Sequence, residues 1–154
     1  MGRRYVVRCD FTSVADTWER ILPNLTGYSQ DDLIKIHIGL VEILNNIVEH
    51  SYGGECDRTF TLSVFRISGG LVFVADHDGP RFLDEPPARA LHSPRVWMST
   101  EERGRGLWLI DQCFNSVAYR RRRKIKRVIA SYRSSPDPDR DPDPDMDGSA
   151  RASP

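Results

Sequence analysis

The chain has 154 residues, a hydrophobic fraction of 39%, and 22 basic residues against 22 acidic ones. That length suits one domain with a modest core, and the balanced charge gives no global pull toward nucleic acid or an anionic membrane. The cysteines Cys9, Cys56 and Cys113 are far apart and show no CxxC spacing, which argues for reduced cytosolic thiols and against a disulfide framework or a zinc site.

The N-terminus, MGRRYVVRCDF, is charged and lacks the apolar stretch of a signal peptide. No apolar run approaches the roughly 18–20 residues of a membrane span. The expected location is therefore cytoplasmic, with no membrane partner.

Residues 4–9 are β-branched and aromatic and predict a short strand. Thr12 or Ser13 can cap a helix carrying Val14, Trp18, Ile21 and Leu22 at helical spacing, which Pro23 and Gly27 end. Ser29 caps a long helix from about Asp31 to Tyr52, with acidic residues in its first turn. Gly53-Gly54 stops it. Two strand-like runs follow, Thr59–Ile67 and Leu71–Asp76, joined by Ser68-Gly69-Gly70 as a hairpin turn.

Residues 83–103 lack periodicity and hold Pro86, Pro87 and Pro94; a loop this long in a small domain reads as a functional lid. Gly104-Arg105-Gly106 opens an apolar helix from Leu107 to about Phe114. Val117–Tyr119 and Val128–Tyr132 form a last hairpin whose turn is the basic run Arg120–Arg127. A solvated turn is the expectation for that run, with an acidic partner or the acidic tail as the other reading and no direct nucleic-acid binding. After Arg133 the chain becomes a Pro/Asp repeat that cannot bury a core. The expected organisation is a folded domain over 1–133 and a disordered tail over 134–154.

The long helix carries the first candidate chemistry. Lys35, Gly39, Glu42, Asn46, Glu49 and His50 share one stripe, and Ile36, Leu40, Ile43, Leu44 and Ile47 share the other. Glu42 and Asn46 are one turn apart, so a carboxylate and an amide can converge on one object. Oxygen donors of this kind suit Mg²⁺ beside a polyphosphate, and a helix glutamate can act as a general base. The turn Asp76–Gly79 at a strand end offers carboxylates and a glycine for close backbone approach. Gly104 and Gly106 at a helix start can expose backbone N–H groups to an anion. Each feature alone is also an ordinary helix face, turn or loop end; their order is what makes them informative. His37, His77 and His92 receive no chemical role, and His50 is read as packing, capping or a ligand contact.

In this order the chain resembles the GHKL (Bergerat-fold) ATP-binding superfamily, and within it the small anti-sigma-factor serine/threonine-protein kinases. Glu42-Ile43-Leu44-Asn45-Asn46-Ile47-Val48-Glu49-His50-Ser51-Tyr52 looks like their N box, Val74 to Phe82 like their G1 box, and Gly104 to Ile110 like their G2 box. The resemblance implies an α+β two-layer sandwich, with a mixed, mainly antiparallel sheet covered on one face by helices. It implies ATP and Mg²⁺ as cofactors, with Asn46 on the metal and Glu42 orienting or deprotonating a serine hydroxyl. Gly79, Gly104, Gly106 and Leu107 would line the nucleotide, and a G1 aspartate would meet the adenine amino group. The family G1 pattern is Asp-x-Gly, and this chain departs from it. Alignment from the strand side selects Asp76; alignment from Gly79 places His77 there. Asp76 is favoured as the expectation. The implied partners are a STAS-domain anti-anti-sigma factor, a sigma factor and a second copy in a homodimer. No histidine-phosphoacceptor domain precedes the motifs, which speaks against a sensor histidine kinase.

Overall fold

Period-two alternation along the strand-like runs builds a sheet with one buried and one open face. The computed structural model describes residues 2–80 and 102–134, with side chains throughout except at 102–105. The expected lid and tail lie outside the described residues, apart from the lid's last two residues, which open a helix, and the tail's first, Ser134.

The order is β1 (Gly2–Arg8), α1 (Phe11–Ile21), a single 3-10 turn at Leu22–Asn24, α2 (Gln30–Asn46), a π-helical turn at Ile47–Tyr52, β2 (Thr59–Ile67), β3 (Gly70–His77), α3 (Glu102–Cys113), β4 (Ser116–Arg122) and β5 (Ile125–Arg133). The sheet order is β1-β2-β3-β5-β4. Every adjacent pair is antiparallel, so the described sheet is antiparallel throughout rather than mixed. The fold is α+β, with the helices on one face.

The inner face carries Tyr5, Val7, Phe60, Leu62, Phe73, Ala75, Val128, Ala130 and Tyr132, all buried. Ile36, Leu40, Ile43, Leu44 and Ile47 of α2 and the following turn meet them with at most 4% exposure, as the apolar stripe predicts. The outer face keeps Val6 at 58% and Phe65 at 41% exposed.

Local chemistry sets the element ends. Asp10, not Thr12 or Ser13, caps α1, accepting the Ser13 amide at 2.6 Å. Ser29 caps α2 in a reciprocal box with Asp32. Gly53, at φ 85°, ends the π-helical turn in the left-handed region. Two elements differ from the expectation. Helix α3 begins at Glu102, so Gly104 and Gly106 lie inside it instead of ahead of it. The basic run is mostly strand: β4 extends to Arg122 and β5 starts at Ile125. Cross-strand pairing continues through the arginines because their alternate side chains can reach solvent.

Candidate functional site

Helices α2 and α3 pack across the stripe that carries Glu42 and Asn46. The close approach depends on Gly39, which is buried. A Cβ added there would fall 2.6 Å from Cys113 Cβ and 2.6 Å from the Phe114 ring. Gly39 therefore belongs to the helix–helix contact and not to a solvated face. One turn further on, α3 places Gly106 against the motif. A Cβ at Gly106 would lie 2.9 Å from Glu42 Oε2, and 3.7 Å and 3.8 Å from the Asn46 amide atoms. The structure thus brings Glu42, Asn46 and Gly106 together. Leu107 packs half-buried against the core, and Gly104 sits in the first turn of α3.

Glu42 is half-buried. Burial, and then the nearby Glu49 carboxylate, raise its pKa above the ordinary glutamate value. This moves it in the direction that strengthens a carboxylate as a base. Asn46 is also half-buried. Directly after it the helix widens into the π-helical turn, a feature that recurs at functional sites.

That turn carries Ser51 and Tyr52 to the end of β3. Gly79 rests on Ser51, where an added Cβ would sit 2.7 Å from the Ser51 carbonyl oxygen. The Tyr52 hydroxyl donates to Asp78 Oδ1 at 2.9 Å. Arg58 pairs with the same carboxylate and lies over the Tyr52 ring. From β5, Lys126 Nζ donates to the Gly79 carbonyl. Lys126 is 7% exposed, so this cation is held inside the fold. The segment His77-Asp78-Gly79 is thereby clamped between the end of the long helix and β5.

Asp76 is not brought to this site. Along β3 the odd residues Phe73, Ala75 and His77 face the helices, and Val72, Val74 and Asp76 face outward. Asp76 pairs with Arg127 on the outer face, at 2.6 Å and 2.8 Å through two parallel hydrogen bonds. Asp76, the residue expected to meet adenine, therefore stands on the outer face, and His77 takes the inward position at the end of β3. The reason is the strand's own alternation: Val72 and Val74, which select Asp76 by spacing, are its neighbours on the wrong face.

His77 is 4% exposed. Burial, and then the Lys126 ammonium, lower its pKa to about 4, so it is neutral near pH 7. Its Nδ1 is buried with no hydrogen-bond partner among the described residues, as are Ser51 Oγ and Asn45 Oδ1. Native folds leave few such groups, and each asks for a cause. Sequence reasoning gave Lys126 and Arg58 no part in the site, quoted Ser51 only within the N-box run, and reached His77 only as the alternative to Asp76. Counting alternation from Phe73 would have found His77; the others depend on contacts between distant segments. Of the remaining histidines, His37 stacks on Trp18 at 4.5 Å, and His50 lies 3.9 Å from Glu49.

Among the described residues no cluster of three or more His, Cys, Asp or Glu could hold a metal ion. A Mg²⁺ ion here would draw most of its ligands from phosphates and water, its usual habit. A cavity of about 560 Å³ lies at the opposite end of the sheet, between Tyr5, Ile21, Leu25, Val64 and Leu71. None of the motif residues lines it. No described helix is long and apolar enough to cross a membrane.

A family model described as a histidine kinase-like ATPase domain matches residues 10–132. No curated protein gives a significant match.

Proposed function

Because the chain belongs to the histidine kinase-like ATPase family, whose domain binds ATP, we propose that it is an ATP-dependent serine/threonine-protein kinase of the anti-sigma-factor type. The acceptor is a serine on a STAS-domain anti-anti-sigma factor, and the competing partner is a sigma factor held by direct binding. The observation that carries this reading is the meeting of Glu42 and Asn46 with Gly106 across α2 and α3.

The residues present fit a nucleotide with its metal. Gly106, lacking a Cβ, lets α3 come against one carboxylate and one amide, and further along the same helical run the buried Ser51 hydroxyl has no hydrogen-bond partner among the described residues. Asn46 would hold Mg²⁺ through its amide oxygen. When bound, Mg-ATP supplies the transferable phosphoryl group and the cation that neutralises its charge. The chain supplies position. Glu42, with its raised pKa, accepts a hydrogen bond from the acceptor hydroxyl and takes its proton. Gly106 keeps the approach to both side chains free of a Cβ. The turn at Gly79 is held against the end of the motif helix by Ser51 and Lys126.

The homodimer belongs to the same proposal. β1 is an edge strand, and Val6 on it is 58% exposed. Pairing or packing of two such edges would cover apolar surface that a monomer leaves to water.

A second reading is a binding module that uses nucleotide only as a switch. The observation favouring it is the engagement of Asp76 by Arg127, which takes the expected adenine ligand out of the site. Phosphate transfer to a STAS-domain protein separates the two. The kinase reading requires transfer that falls about 100-fold or more in Glu42→Ala and Asn46→Ala. Transfer by wild type no greater than by these variants refutes it, and Mg-ATP binding without transfer selects the module.

A further inference from the structure

The inner position at the end of β3 is held by His77, two residues before Gly79. Among the described residues its buried Nδ1 has no hydrogen-bond partner, nor has the buried Ser51 hydroxyl, which adjoins the same turn. Tyr52 brackets the imidazole, with ring centroids 6.2 Å apart. The turn beyond it cannot drift, because Lys126 holds the Gly79 carbonyl and Tyr52 with Arg58 holds Asp78.

We infer that the His77 imidazole reads the purine base, and that it accepts 6-amino and 6-oxo purine nucleotides alike. This rests on the ATP-site reading above. The chemistry follows from the donor and acceptor inventory. An ionised carboxylate can only accept, so it selects the 6-amino group of adenine and repels the 6-oxo group of hypoxanthine or guanine. A neutral imidazole carries one donor and one acceptor and exchanges them by tautomerisation. With Nδ1 unprotonated it accepts a hydrogen bond from an amino group; with Nδ1 protonated it donates one to a carbonyl. No neighbouring group is hydrogen-bonded to Nδ1 to freeze one tautomer, among the described residues. The Ser51 hydroxyl can likewise donate or accept, so it follows whichever tautomer the base selects.

The test is equilibrium binding of ADP, IDP and GDP with Mg²⁺ to the full chain, by calorimetry. Wild type should bind ADP and IDP with affinities within about 10-fold of each other, since an exchange of equivalent hydrogen bonds changes little. His77→Asp should widen the ADP preference to about 100-fold or more, because a base carbonyl would then face an acceptor-only group. His77→Ala should weaken both nucleotides about 10-fold. Asp76→Ala should leave both within about 2-fold of wild type. A ¹⁵N spectrum of the His77 imidazole in the wild-type chain should show opposite tautomers with ADP and with IDP, a signature that packing alone would not produce. The inference is overturned if wild type binds ADP but rejects IDP as strongly as His77→Asp does. It is equally overturned if ADP affinity depends on Asp76 and not on His77, or if the ¹⁵N shifts do not respond to nucleotide. Those results leave the ATP site standing. Failure of wild type to bind any of the three nucleotides refutes the ATP-site reading and the inference with it.

Discussion

Acidification should unfold this protein partly through one side chain, His77. The imidazole is buried at the end of β3, and burial with the Lys126 charge lowers its pKa from 6.5 to about 4. Below pH 6.5 the unfolded chain takes up a proton at His77 that the folded chain refuses. Stability is therefore fully present above pH 6.5 and is lost as pH falls toward the folded value. Between about pH 7.5 and pH 4.5 this group alone should remove about 2.5 kcal/mol. Asp76 and Asp78 pull the other way, but less strongly than burial and Lys126. Other groups also titrate. Glu42, with its raised pKa, favours the folded state as pH falls. Asp10 and Asp32, with lowered values, withdraw support chiefly below the window. A difference measurement removes them. Urea unfolding of wild type and His77→Gln should be followed by tryptophan fluorescence at several pH values; Trp18 is a buried reporter at 6% exposure. The difference in unfolding free energy should be flat above about pH 7 and should shift toward the variant by about 2.5 kcal/mol at pH 4.5. Two curves that fall in parallel would refute the assignment of a buried neutral imidazole.

Other substitutions separate stability from function. Gly106→Ala lies within α3, where alanine gains about 1 kcal/mol of helix propensity. Its Cβ would displace the Glu42 carboxylate, so thermal stability should hold or rise while phosphate transfer falls about 10-fold or more. Gly39→Val should destabilise by about 1–3 kcal/mol, since its Cβ meets Cys113 and Phe114 in the α2–α3 contact; a thermal melt reads this directly. With a thiol-specific disulfide reagent, exposed Cys56 should react at once. Cys9 is buried with a pKa pushed up to about 12, Cys113 is buried with a raised pKa, and both should react only on unfolding.

Much of this protein is determined by local sequence. The apolar stripe Ile36, Leu40, Ile43, Leu44 and Ile47 is the buried face of the long helix, because helical period alone decides which side chains share a side. Ser29 caps α2 and Gly53 ends the helical run, because capping and left-handed backbone are local matters. The Ser68-Gly69 turn places β2 against β3 for the same reason. Glu42 and Asn46 stand out in the sequence because they are one helical turn apart.

Tertiary structure decided what those residues meet. Gly39 reads as part of a polar stripe until α3 covers it, and Gly106 reads as a loop glycine until α3 begins at Glu102. Lys126 and Arg127 read as one basic run, yet β5 sends Lys126 inward to the Gly79 carbonyl and Arg127 outward to Asp76. Strand spacing favours Asp76 and the glycine spacing His77, but which of the two faces inward turns on which face of β3 the helices cover. That is settled only when the sheet closes against α2. A two-residue period then sends adjacent side chains to opposite sides, so one residue of register separates a surface ion pair from a buried imidazole in the candidate nucleotide site.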